Sequence, residues 1–87
     1  MTLIDRMEQA EYTQDTLLAA RDALLDGAHW LRKSGEPALA QNVLPLLGGV
    51  MDALACATGR LEALRTEAAR ARLLELQEWN TAYRRSV

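Results

Sequence analysis

Residues 37–85 read PALAQNVLPLLGGVMDALACATGRLEALRTEAARARLLELQEWNTAYRR, and how this stretch folds decides the architecture. Apolar side chains recur at Leu39, Val43, Leu46, Val50, Leu54, Ala57, Leu61, Leu64 and Ala68. At about 100° per residue they fall on one face of a helix. The phase survives three breakers: Pro45, the Gly48-Gly49 pair and Gly59. The pattern therefore predicts one long amphipathic helix, bent by Pro45 about one turn upstream, near Gln41. Gly48-Gly49 would add flexibility or let another backbone approach closely. A true break at Pro45–Gly49 or at Gly59 would give three helices in the chain instead of two.

Beyond Ala71 the pattern shifts. Leu73, Leu76 and Tyr83 lie about a quarter turn from the earlier stripe, whereas Trp79 and Ala82 stay on it. A helix apolar over so wide an arc is expected to meet more than one neighbour.

Upstream, residues 2–33 carry a second helical stripe, through Leu3, Ile4, Met7, Ala10, Leu17, Leu18, Leu24, Leu25, Ala28 and Leu31. Its end is marked by Arg32-Lys33, by Gly35 for a left-handed cap, and by Pro37 to open the next helix. Thr13 or Thr16 could cap a later start, but the stripe runs in phase through them and favours a single helix. The turn is residues 34–36. The fold class is thus all-α, a single domain built as an antiparallel helical hairpin. Composition agrees: there is no Phe, one Ile and three Val, while Ala, Leu, Arg and Glu abound.

The arms differ in length. The first spans about 46 Å and the second about 73 Å, so the last ~18 residues of the second arm overhang. Leaving Leu73, Leu74, Leu76, Trp79 and Tyr83 in water forgoes ~1.5–3 kcal/mol per large side chain. A symmetric dimer forming a four-helix bundle, or a higher oligomer, would cover them. At 87 residues the chain's own core is small, and such domains often gain stability from a partner.

Gln14 and Arg21 interrupt the centre of the first stripe. Polar residues in a seam pair across it and fix register; alternatively, the two hold an anionic small molecule or nucleotide at a subunit seam. On the opposite face Tyr12, Ala19, Ala23 and Trp30 align at helical spacing, as a shallow aromatic groove suited to a partner, although Trp30 could simply cover the helix end. A third face, Glu8, Glu11, Asp15, Asp22 and Asp26, is expected to be solvated, because acid–base catalysis needs a cleft that shifts a pKa.

Signatures of chemistry are missing. No HExxH, GxGxxG, P-loop, GxSxG or CxxC motif occurs. His29 and Cys56 are the only residues of their kinds, so no metal site, no cofactor and no disulfide framework is expected. Cys56, among alanines, reads as a structural thiol. Net charge is −2, and Arg60, Arg65, Arg70 and Arg72 spread around the helix, so nucleic acid is not an expected partner. The longest apolar run, Val43–Met51, contains a Pro and two Gly, and no membrane span is expected from it. Residues 1–6 lack a signal-peptide layout, which by default sets the expectation of a cytoplasmic protein.

The functional expectation is a non-enzymatic protein that binds itself and a protein target, as an inhibitor, adaptor or assembly chaperone. The Ala-, Leu- and Arg-rich composition hints at high-GC coding and would suit a phage- or mobile-element-encoded inhibitor of a bacterial system. The candidate protein-binding residues are Tyr12, Trp30, Leu73, Leu76, Trp79 and Tyr83. Gln14 and Arg21 are the candidate ligand-binding residues in the small-molecule alternative.

Overall fold

The computed structural model describes residues 1–86. Two helices form the chain, α1 (Leu3–Lys33) and α2 (Pro37–Ser86), and no strand occurs among the described residues. The first starts at a capping box: the Asp5 amide donates to Thr2 Oγ1 (3.1 Å) and the Thr2 amide donates to Asp5 Oδ2 (3.2 Å). Thr13 and Thr16 lie inside α1. Their hydroxyls donate to the carbonyls of Gln9 (2.9 Å) and Tyr12 (2.8 Å), a back-bond that competes with capping and leaves the helix continuous.

The end of α1 is a Schellman motif. The Glu36 amide donates to the Leu31 carbonyl (2.8 Å) and the Gly35 amide to the Arg32 carbonyl (3.2 Å). Gly35 supplies the left-handed residue this requires, at φ 81°. A side chain there meets no neighbour but forces an L-residue into the left-handed region, which costs roughly 1–2 kcal/mol. Gly35→Ala is therefore expected to lower the melting temperature by about 5 °C in a calorimetric scan.

Pro37 opens α2, where its missing N–H costs nothing. The helix then runs unbroken through Pro45, Gly48-Gly49 and Gly59, so the described residues form two helices and not three. The molecule is a rod of 77 × 21 × 15 Å, with α2 along its whole length. Its radius of gyration is 21.5 Å, against ~12 Å for a compact chain of this size. A Cβ added at Gly48 or Gly49 would meet nothing within 4 Å, so no backbone within the chain approaches them closely.

The helices meet along one seam. On α1 it holds Leu3, Met7, Ala10, Gln14, Leu17, Arg21, Leu24, Ala28 and Leu31; on α2 it holds Ala40, Val43, Leu47, Val50, Leu54, Ala57, Leu61, Leu64 and Ala68. Both series step alternately by three and four, the knobs-into-holes repeat of a coiled coil. This corrects the proximal stripe of α2. Ala40 and Leu47 occupy the seam, while Leu39 and Leu46 are exposed. A seam of period 3.5 departs from a straight helix by ~20° per heptad, which over three heptads moves the buried line by most of one residue step. Ile4 and Leu25, expected in the α1 stripe, are exposed too: each follows a seam residue, Leu3 or Leu24, and so flanks the seam.

Polar contacts fix the register. Gln14 Nε2 donates to Thr58 Oγ1 across the seam (3.0 Å). Ion pairs flank it on opposite sides: Glu11–Arg65 (3.7 Å) and Arg6–Glu67 (3.9 Å). Both pairs are exposed, so each guides alignment more than it stabilises.

Candidate interaction surfaces

With α1 ending at Leu3, α2 runs on alone. Every side chain from Ala69 to Arg85 is exposed, a run about 25 Å long. Leu73 (59%), Leu76 (57%), Trp79 (66%) and Tyr83 (58%) all lie on it. Trp79 and Tyr83, one turn apart, stack with ring centroids 5.7 Å apart and planes 12° from parallel. A groove of 560 Å³ leads from the end of α1 onto this segment, floored by Met7, Ala68, Ala69 and Leu73 and edged by Arg65, Arg72 and Leu76. Sequence periodicity marked Leu73 and Leu76. It placed Met7 in the α1 stripe and Arg72 among the scattered arginines, and their meeting with Leu73 and Leu76 emerges only once the antiparallel register is known.

Tyr12 (76%) and Trp30 (63%) are exposed on α1, but 18 positions separate them, about 27 Å along the axis, so a single small groove does not contain both. Tyr12 instead lines a concavity with Asp5, Glu8, Gln9 and Thr13. Trp30 packs locally: Lys33 Nζ stands 5.5 Å from its centroid, and the His29 ring meets it edge-on at 5.8 Å.

Gln14 and Arg21 are engaged separately. The Gln14 amide is committed to Thr58. Arg21 does not reach across the seam; its Nε and Nη2 both donate to Asp22 Oδ1, at 3.1 and 3.0 Å, on its own helix. The facing α2 positions, Leu47, Val50 and Leu54, offer it no acceptor, so the guanidinium turns out to the nearest carboxylate. Cys56 is exposed on the outer side of α2, not packed as a structural thiol. Among the described residues no cluster of His, Cys, Asp or Glu is placed to hold a metal ion.

One property of α2 departs from expectation. By length and composition it could cross a membrane, with a mean hydropathy of 1.4 over its most apolar window, of which 11% is buried. In the hairpin, however, the matching part of α1 carries Asp15, Arg21, Asp22 and Asp26. Taking these into hydrocarbon beside α2 would cost roughly 2.5–3.5 kcal/mol for each charge.

Compared with protein-family models, with curated proteins and with solved structures, the chain finds no match.

Proposed function

We propose that this chain is a non-enzymatic binding protein that acts on a protein target, as an inhibitor, adaptor or assembly chaperone. The observation that carries this reading is the unpartnered end of α2, where Leu73, Leu76, Trp79 and Tyr83 are exposed together on a segment that α1 does not reach. Isolated exposed apolar residues are ordinary, but a contiguous aromatic and aliphatic patch marks an interaction surface. The patch is covered in a homodimer or higher oligomer, with the helices assembled as a four-helix bundle. The missing amide of Pro45 would bend α2 about one turn upstream, near Gln41. Trp30 and Tyr12 form separate contact points for the target. An inhibitor encoded by a phage or mobile element would fit this size and chemistry.

The rod works in a cytoplasmic setting, without metal, cofactor, nucleic acid or membrane. The charged residues of α1 that accompany the apolar part of α2 support the last point.

Light scattering tests the reading. A mass of twice 9.7 kDa or more is expected, and a strict monomer at all concentrations would overturn the self-associating form. In the alternative, an anionic metabolite or nucleotide sits at a subunit seam between Gln14 and Arg21. It would have to displace the Gln14–Thr58 bond and the Arg21–Asp22 pair. A thermal shift of several degrees with one nucleotide, abolished by Arg21→Ala, would favour it.

A further inference from the structure

The two flanking ion pairs identify the sides of the rod, and the sides differ. In a seam of period 3.5, residues seven apart share a side. The Glu11–Arg65 side therefore carries Ile4, Leu18 and Leu25 from α1, and Leu44, Met51, Thr58, Arg72 and Trp79 from α2. Read along the rod, this side has three zones. At the closed end Leu25, Leu44 and Met51 make an exposed apolar ridge. The exposed part of the middle is polar, with Thr58 and the Glu11–Arg65 pair beside the half-buried Leu18. The overhang is apolar again, with Leu76, Trp79 and Tyr83.

An apolar–polar–apolar face reads the same in both directions. From it we infer that two copies of the chain pack antiparallel through this side, so that the distal segment of each lies along the Leu25–Leu44–Met51 ridge of the other. The inference rests on the self-associating form of the proposed function and specifies its geometry.

Charge selects the antiparallel arrangement over the parallel one. On this side the distal segment carries Arg72, seven residues on from Arg65, whereas Arg70 and Arg84 fall on the other flank and Glu75, Glu78 and Arg85 continue the seam rows. The ridge is bordered on α1 by Asp15 and by Asp22, which lies one turn from both Leu18 and Leu25 and already holds Arg21. Antiparallel pairing places Arg72 on this acidic border. Parallel pairing places Arg72 on Arg72 and aspartates on aspartates, which disfavours it.

Shape and size agree. Gly48 sits one turn from both Leu44 and Met51, and a Cβ there would meet nothing within 4 Å, so the ridge has a dip that accepts a side chain from outside. Two-fold symmetry brings four aromatic rings into the contact. At ~150 Å² apiece they supply about half of the ~1,200 Å² that a stable dimer buries, and the ridge side chains they cover supply the remainder.

Thiol crosslinking tests the arrangement. In a Cys56→Ala background, Gln41→Cys marks the ridge end and Asn80→Cys marks the distal segment, without removing an apolar contact. The two proteins are mixed in denaturant, refolded together and treated with a short bis-maleimide. A covalent dimer is expected from the mixture and not from either protein alone. Crosslinking of the Asn80→Cys protein to itself would show parallel pairing and overturn the inference, as would a sample dimeric by light scattering that yields no mixed crosslink. A sample monomeric by light scattering would overturn self-association itself.

Discussion

Leu61→Ala is expected to destabilise the hairpin by about 3 kcal/mol, within the range for a buried Leu reduced to Ala. Leu61 is 1% exposed, the most buried large side chain among the described residues. It packs with Ala10 and Leu64, and Met7 and Leu3 close over the cluster. Seven apolar residues make up the buried core, four of them alanine or smaller in reach than Leu, so few neighbours are large enough to collapse into the space left behind. Small domains have net stabilities toward the low end of ~5–15 kcal/mol, and this loss takes a large share of that. Urea denaturation followed by helical circular dichroism should show the midpoint falling by about half with the slope unchanged. Leu74→Ala is the control. Leu74 is exposed on the overhang and clear of the seam, so it should shift stability by no more than ~0.5 kcal/mol. Equal effects of the two substitutions would mean that the Ala10–Leu61–Leu64 cluster is not what holds the arms together.

The contrast between these two leucines shows how much the sequence discloses. Helix class, the turn at residues 34–36 and the overhang follow from spacing and punctuation, because Gly35 and Pro37 act locally and the apolar period is strong. Leu54, Leu61 and Leu64 fall in the seam as the period predicts. Leu39 and Leu46 do not, because a straight-helix period accumulates error along a coiled seam. Pro45 and Gly48-Gly49 leave α2 continuous because a break would cost all the seam contacts on one side of it. Gln14 and Arg21 share the same α1 row, yet Gln14 finds Thr58 across the seam and Arg21 turns back to Asp22. The choice depends on what α2 presents opposite each, a property of register that neither helix carries alone. The ridge of Leu25, Leu44 and Met51 was hidden for the same reason. It takes side chains from both helices, and only the Glu11–Arg65 pair shows that they share a side.

Trp79→Ala is expected to raise the dissociation constant for self-association about 30-fold while leaving the hairpin as stable as before. Trp79 is 66% exposed in the single chain and stacks on Tyr83, a rigid two-ring anchor of the kind that dominates interface energetics. Truncating such an anchor typically costs at least 2 kcal/mol of binding, which corresponds to that factor. The cost to folding should be small, because Trp79 lies beyond the reach of α1 and touches none of the seam. The helix there extends an existing one and needs no new nucleus, and its Ala, Arg, Leu and Glu residues favour it. Two measurements separate the effects. Sedimentation equilibrium over a hundredfold concentration range should show the dimer shifting to higher concentration in the variant. Urea midpoints measured where both proteins are monomeric should coincide. A mass distribution unchanged by Trp79→Ala would remove the distal segment from the interface. A fall in the monomer's own midpoint would instead show that Trp79 folds back onto its own chain, a contact that would bury the patch without any partner.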